Sequence, residues 1–481
     1  MKNNRQSIIA QSFSRLDEKT GVTLLVVFYM VLFSIMALLR YHNMHSTFFD
    51  LGVYENKIWR IAFNKEYYLL FYGHASPVLL IHAVFYRIFP FTDTLILLQS
   101  FVVTFSAYLV FILAKIKLKG NYPLIIVFAY LAYFSVEYNV LFDFHPDHII
   151  IPIILTAFIF LEKKKTSLFA VSCLAGLMIK EPFALVISAL GIYAAIKHKI
   201  IYVGAIIAII SFAAFFVEVR IILPFFTPGV STIMTTAVTK FGSGITGILL
   251  SIPTNPGLWI REVFSKAVLK YFLTVFAPLL FLPLLSPVEL IVALPMFFIL
   301  IISGGGLLFS IPSQYLASII PVLFTAYIFA IKKIEHMRYL PFLLIMGSLF
   351  SCFILSPIPG SISYCANDES SFSHNAYNSE TRNIMIAGQI ERLIPANPNI
   401  SVVAQNSVNI GCLARRISYE AFPRGIANAN YIVLDTKRPL FVFDRIDRRE
   451  YSRGLEFLRK TRTIEFEYDG FLIFGAKKSK G

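Results

Sequence analysis

Charge is scarce in this sequence: only 15% of its 481 residues are Asp, Glu, Lys or Arg, against roughly 25% in a water-soluble domain. The shortage excludes a soluble globular fold for most of the chain, since such a fold needs a charged surface around its core. Cysteine is scarce too, with four residues in all, too few for a disulfide framework. Cys173 and Cys352 fall in apolar stretches and read as packing residues, whereas Cys365 and Cys412 lie in the C-terminal part and could pair if that part faces an oxidising compartment. Also absent are a G-x-x-x-x-G-K-[ST] loop, an H-E-x-x-H motif and a G-x-S-x-G turn, so ATP hydrolysis, zincin proteolysis and serine hydrolysis lose their usual support. No repeat or low-complexity tract is evident.

What is abundant is apolar: 57% of the residues are hydrophobic. Runs such as 21–39 and 95–114 carry no charge and approach or exceed the ~18 apolar residues expected of a membrane span. The first run lacks a cleavage pattern and reads as a retained span. About eleven spans follow from this reading: 21–40, 94–114, 122–141, 148–161, 166–179, 182–196, 200–219, 267–285, 289–302, 315–331 and 339–355. The fourth to sixth are short for a bilayer of ~30 Å, which implies thinning or burial in protein.

The formal charge of +15 does not imply a nucleic-acid partner, because the cations punctuate the spans instead of gathering on one face. Lys2, Arg5, Arg15 and Lys19 precede the first span, and Lys115, Lys117, Lys119, Lys163 to Lys165, Lys197, Lys199, Lys332, Lys333 and Arg338 follow others. They share one side if 74–90 lies in the interface, and the positive-inside rule makes that side cytoplasmic. The expected organisation is a cytoplasmic segment 1–20, a transmembrane helical region 21–355 with large far-side loops 41–93 and 220–266, and a C-terminal extracytoplasmic domain 356–481. In that domain, 399–405, 431–435 and 470–475 look like buried strands and 380–394 and 446–460 like helices, a small α/β fold.

The polar chemistry collects in the far-side loops. Asp50 follows the first span closely enough to reach the headgroup plane, and reads either as a general base or metal ligand or as a helix N-cap. His74, in GHASP, is a candidate phosphate donor or metal ligand, or a plain surface residue. DFHPDH places Asp143, His145, Asp147 and His148 within six residues; with Asp50 the first three could hold a divalent cation, the alternative being a capped hairpin turn. Lys180 and Glu181 form an ionisable pair between short apolar segments, a functional signal at a membrane boundary unless they are only a polar turn. Arg220, Lys240, Arg261 and Lys266 in loop 220–266 are candidate phosphate clamps or simple surface charges.

FDLGVYENKIW, GHASPVLL, DFHPDH, the KEP turn, SPVELIVALP and QYLASIIPVLF occur in this order, and together with the VVAQN and YIVLD segments they resemble the membrane-protein family called domain of unknown function 2079. That family looks like a branch of the GT-C glycosyltransferases, multi-span enzymes using polyprenyl-phosphate sugars. The resemblance implies a GT-C-like bundle in the cell membrane. It assigns the essential acid of the first extracytoplasmic loop to Asp50, a second acid to Asp143 or Asp147, and a third, loosely, to Glu181. The expected catalytic set is therefore Asp50, Asp147 and Glu181. His74, Lys180, Arg220, Lys240 and Arg261 are the substrate-binding set, and a divalent metal on Asp50, Asp143, His145 and Asp147 is the one cofactor considered. The implied partners are membrane lipids, a lipid-linked sugar donor and a glycan, lipid or protein acceptor. The competing expectation is a transporter or lipid-binding protein, which predicts a midplane site between two similar halves.

Overall fold

The computed structural model describes residues 18–228, 240–242, 244–302, 314–365, 372–378, 380–438 and 448–477. The cations at 2, 5 and 15 and the loop 303–313 lie outside the described residues. Helices dominate the first three-quarters of the chain: α1 (Glu18–His42), α2 (Val53–Trp59), α3 (Leu79–Ile88), α4 (Thr92–Lys117), α5 (Tyr122–Leu131), α6 (Phe134–Leu141), α7 (Ile150–Glu162), α8 (Thr166–Gly176), α9 (Glu181–Lys197) and α10 (Ile201–Val217). Further on come α11 (Lys266–Phe276), α12 (Ile319–Ile334) and α13 (Leu340–Phe350), and other helical segments there include Gly244–Thr254, Pro256–Val263 and Leu294–Ile302.

Among the described residues, α1, α4 and the stretch Ile201–Phe226 are long and apolar enough to cross a membrane, and the α5–α6 pair, bent by 47°, makes a fourth if it is one span. Other expected spans are shorter; α7 has 13 residues, α8 has 11 and α9 has 17. The outward faces explain the excess of apolar residues. On α1, Leu24, Phe28, Val31 and Ile35 are exposed, while Val22, Val26, Tyr29 and Phe33, a helical turn apart, are buried. A helix apolar on both faces is stable against lipid, not water. Helices α9 and α10 pack backbone to backbone. A Cβ on Gly204 would sit 2.5 Å from the Gly191 carbonyl, the close approach that small residues permit between membrane helices.

Helix α3 spans only about 15 Å at 1.5 Å per residue, too short to cross. Its outer face carries Leu80, Ile81, Val84, Phe85 and Ile88, all exposed, and its inner face buries His82 and Tyr86. An apolar face turned outward suits a helix lying at a lipid boundary.

The C-terminal part is an α/β unit with a five-stranded sheet in the order β2-β1-β3-β5-β4: β1 (Val402–Ala404), β2 (Tyr419–Ala421), β3 (Tyr431–Asp435), β4 (Arg462–Tyr468) and β5 (Phe471–Lys477). Strand β1 pairs in parallel with β2 and β3, and β5 runs antiparallel to β3 and β4. The three expected strands and two expected helices, α14 (Thr381–Leu393) and α15 (Arg448–Thr461), are present; β2 and β4 are additions at the sheet edges. Alternate strand residues serve two cores. Val402, Val433 and Ile473 join Ile386 and Ile390 of α14 in the core shared with the membrane helices, while Val403, Ile432, Leu434 and Leu472 pack with Tyr451 and Leu458 of α15. All four cysteines are free. The pairing considered for Cys365 and Cys412 is therefore not formed; Cys412 Sγ accepts from Arg416 at 3.7 Å.

A buried ionic contact joins the two parts. The Glu55 carboxylate of α2, 1% exposed, accepts from Tyr86 (2.7 Å), Thr92 (2.8 Å) and Arg415 (3.3 Å). Removing one partner of a buried pair strands the other charge. Arg415→Ala is expected to destabilise the folded protein by about 3 kcal/mol, whereas Arg261→Ala, at an exposed position, should leave the thermal unfolding midpoint in detergent unchanged.

Candidate functional site

Helix ends decide which loops meet. Helices α1, α6 and α8 finish, and α4, α7 and α9 begin, at the same end of the bundle, which brings 43–57, 72–74, 142–148 and 177–181 together. The opposite end carries the lysine-rich turns: Lys115 pairs with Glu18 at 2.6 Å, Lys117 with Glu162, and Lys197 with Glu289 at 3.5 Å.

Asp50 sits in a single wide turn, Phe48–Gly52, that leads into α2. Its Oδ1 lies 3.1 Å from His145 Nε2, and its side chain remains 29% exposed, so the carboxylate is open to a second molecule. His145 Nδ1 lies 2.8 Å from the Asp143 carbonyl oxygen. A carbonyl only accepts, so Nδ1 carries a proton, and a carboxylate facing Nε2 favours a second one there, making the ring an imidazolium. The electrostatics agree. Burial alone would raise the Asp50 carboxyl, but His145 and then Lys180 outweigh it and hold it below its ordinary value. Burial alone would lower His145, and Asp50 outweighs it and raises the imidazole above its ordinary value.

Asp147 and Lys180 form the next pair, at 3.5 Å. Burial opposes the Lys180 charge, but Asp147 and its neighbours raise the ammonium well above its ordinary value. Glu181 Oε1 meets His74 Nδ1 at 2.7 Å, and His74 is lowered by burial despite that neighbour. One oxygen of each acid, Asp147 Oδ2 and Glu181 Oε2, is buried without a hydrogen-bond partner. Tyr54 lies among these groups. Its ring packs against His145 with centroids 5.2 Å apart, and its hydroxyl feels Lys180, Asp147, Asp50 and Glu181.

Lys57, one helical turn beyond Tyr54, is a site residue that motif reading passes over. It is 8% exposed, its Nζ donates to the Tyr72 carbonyl at 2.6 Å, and no carboxylate lies within ion-pair distance among the described residues. Burial, followed by the repulsion of Lys180, lowers its ammonium to about 8. A buried ammonium without a carboxylate partner is costly to keep charged, and the lowered value is the expected result. The signal in the sequence is its i, i+3 spacing from Tyr54 within FDLGVYENKIW.

Asp143, considered as a metal ligand, lies at the junction of α1 and the Asp50 turn. Both its oxygens are engaged: Oδ1 accepts from Arg40 at 2.7 Å, and Oδ2 accepts from the Thr47 amide at 2.6 Å and hydroxyl at 2.7 Å. It thus fixes the start of the turn that carries Asp50. With Asp143 so occupied and Asp147 on Lys180, the expected set Asp50, Asp143, His145 and Asp147 is divided among three contacts. Among the described residues no group of three or more His, Cys, Asp and Glu is arranged to hold a metal ion. Loop 220–266 reaches the neighbourhood of His74 through Thr227, whose hydroxyl accepts from the Gly73 amide at 2.8 Å. Arg220 and Arg261 are exposed, and Lys240 pairs with Glu262; no hydrogen bond or ion pair among the described residues ties any of them to Asp50, Asp147 or Glu181.

A bundle of apolar helices carrying a small α/β unit, with ionised side chains gathered at one end, defines a polytopic membrane protein. The chain belongs to the family described as predicted membrane protein DUF2079, whose model matches residues 40–468. Among solved structures it is similar to ArnT from Cupriavidus metallidurans, both bound to undecaprenyl phosphate and in the apo state. Each likeness has a TM-score of 0.53 at 12% identity and covers 95% of this chain and 98% of that one. The likeness establishes a shared fold. No curated protein sequence matches.

The pair Asp50–His145 sets a pH window. Asp50, depressed below 3.8, contributes its ionic stabilisation above the unfolded value and loses it as pH falls through the folded one. His145, raised above 6.5, contributes below that value and loses its share as pH rises through the folded one. Nuclear magnetic resonance of labelled histidine should therefore find His145 titrating above 6.5 in the wild type. In Asp50→Asn, where burial and Lys180 are opposed only by Asp147, it should titrate lower than in the wild type.

Proposed function

We infer that the chain is an integral membrane glycosyltransferase that moves a sugar from a polyprenyl-phosphate donor to an acceptor hydroxyl at the extracytoplasmic face. The observation that carries the reading is Asp50: an ionised carboxylate, open on one side, at the end of the bundle where the buried cations Lys57 and Lys180 gather. A glycosyl phosphate brings its own leaving group, so the protein must supply a base for the acceptor and positive charge for the departing phosphate. This end of the molecule has both. The fold shared with ArnT, one structure of which holds undecaprenyl phosphate, supports the same reading.

In the proposed step the acceptor hydroxyl gives its proton to Asp50 as its oxygen bonds to the anomeric carbon. The bond from that carbon to the phosphate oxygen breaks on the opposite face, its electron pair leaves with the lipid phosphate, and the anomeric configuration inverts. Lys180 and Lys57 offset the negative charge that develops on the phosphate. Asp147 holds Lys180 in place, and Glu181 orients His74 beside the same group. Among the described residues no three His, Cys, Asp or Glu side chains are grouped to hold a metal ion, and the step is written through Lys57 and Lys180 alone. On this reading the lysine-rich end is cytoplasmic, by the positive-inside rule, and the C-terminal domain is extracytoplasmic.

The test is turnover of a polyprenyl-phosphate sugar by purified protein. Asp50→Asn should lower kcat by about 10²- to 10⁴-fold, the range for loss of a general base, while the dissociation constant for the lipid phosphate stays close to that of the wild type. Lys57→Met should weaken lipid-phosphate binding by about tenfold, equivalent to one charge-assisted hydrogen bond, and should also lower kcat, because the charge it offsets grows as the phosphate leaves. Unchanged turnover in Asp50→Asn removes this residue from the chemistry and the reading with it.

A further inference from the structure

The segment Gln405-Asn406-Ser407, with Asn409 beyond it, is polar and lies in a loop, yet all four side chains are buried, Asn406 at 3% exposure. A buried polar loop costs free energy unless its groups find partners. For Asn406 those partners are not in its own domain. Its backbone oxygen accepts the Phe48 amide at 2.7 Å, and its Oδ1 accepts the Phe49 amide at 2.9 Å. These two amides open the turn that carries Asp50, and the first N–H groups of a helical turn have no partner within it. A residue more than 350 positions away therefore caps the turn from outside.

The approach around this contact is close. Gly52 ends the same turn, and a Cβ there would sit 2.8 Å from Asn409 Oδ1. Phe48 packs on Tyr419 with ring centroids 4.6 Å apart. Asn56, one turn further on, donates to the carbonyls of Ala414 and Arg416, each at 2.7 Å. On the other side, Asp143 holds Thr47 as described above. The Asp50 turn is gripped between a loop of the membrane part and a loop of the C-terminal domain.

We propose that Asn406 is a positioning residue, and that the C-terminal domain serves the reaction by fixing the backbone at Phe48 and Phe49, and so the direction of the Asp50 carboxylate. The proposal rests on the reading of Asp50 as the base, and its experiment separates the two. In full-length protein, hydrogen–deuterium exchange of the peptide spanning 45–54 reads the clamp without reference to activity. In Asn406→Ala that peptide should exchange faster than in the wild type, while peptides in α4 and α9 are unchanged. In turnover, Asn406→Ala should lower kcat by about 10- to 100-fold, as a misplaced catalytic group does, with lipid-phosphate affinity held within about twofold. Asn406→Asp, which keeps an accepting oxygen, should restore the slow exchange and most of kcat. Gly52→Ala, which forces the two loops apart, should repeat the Asn406→Ala signature. Unchanged exchange in Asn406→Ala overturns the clamp, as does faster exchange with wild-type kcat. Loss of kcat, lipid binding and thermal stability together in both Asn406 variants makes the residue merely structural and also overturns it. Faster exchange in a protein whose wild type turns over no polyprenyl-phosphate sugar keeps the clamp and sinks the transferase reading alone.

Discussion

An ionised carboxylate beside a lipid boundary needs a counter-charge, and for Asp50 that counter-charge is the His145 imidazolium 3.1 Å away. Much of the surrounding structure exists to keep the two in register. His145 is aimed by the Asp143 carbonyl on one ring nitrogen, and its backbone amide is held by Gln99 of α4 at 3.0 Å. Gln99 is in turn fixed on the Phe142 carbonyl at 2.8 Å. The Asp143 side chain ties Arg40 at the end of α1 to the Thr47 amide. These contacts run from one buried polar group to the next with each link satisfied, which is the condition under which a low-dielectric network rigidifies a site instead of weakening it.

The same economy of charge explains why neighbouring groups differ in role. Lys180 is matched by Asp147 and stays firmly protonated. Lys57, only one turn from the same cluster, has a carbonyl and aromatic rings as contacts, and among the described residues it has no carboxylate within ion-pair distance. Two cations of equal formal charge therefore stand in different situations, one paired with a carboxylate at 3.5 Å and one donating to a carbonyl at 2.6 Å. In the proposed reaction, a phosphate entering between them would meet one charge already placed and one that gains a partner on its arrival.

Hydropathy and lysine placement made the long helices, the two unlike ends of the bundle and the convergence of the FDLG, GHASP, DFHPDH and KEP segments legible in the sequence. The pairings within that group were not, because adjacency in sequence says nothing about direction. Asp143 and Asp147 are alike in a list of donors, yet one turns to Arg40 and Thr47 and the other to Lys180. Arg220, Lys240 and Arg261 drew attention as cations in a loop with glycine and proline, a pattern that carries no information about distance from Asp50. In the C-terminal domain, β1, β3 and β5 are read from apolar runs. Strand β2 is three residues at an edge and offers no such run; β4 shows Ile464 and Phe466 alternating with charged residues, the period-two signal of a half-exposed strand.

The sheet itself gives a reason for the fusion of the two parts. In an open α/β sheet, ligands bind outside the carboxyl ends of the parallel strands, where the strand order reverses. Here β1 lies between β2 and β3, so the reversal point is the loop after Ala404, and that loop holds Gln405, Asn406 and Asn409. The position that a free-standing domain would use for a small molecule is filled by the chain's own first loop. Gln405 turns inward to the Asp435 amide and the Tyr451 hydroxyl, and Asn406 turns outward to Phe48 and Phe49. A sheet whose binding end is occupied in this way has no crevice left there for a substrate. On the proposed function, recognition comes from the membrane side, where Lys57 and the open face of Asp50 lie, and the domain contributes the wall against which those groups are held.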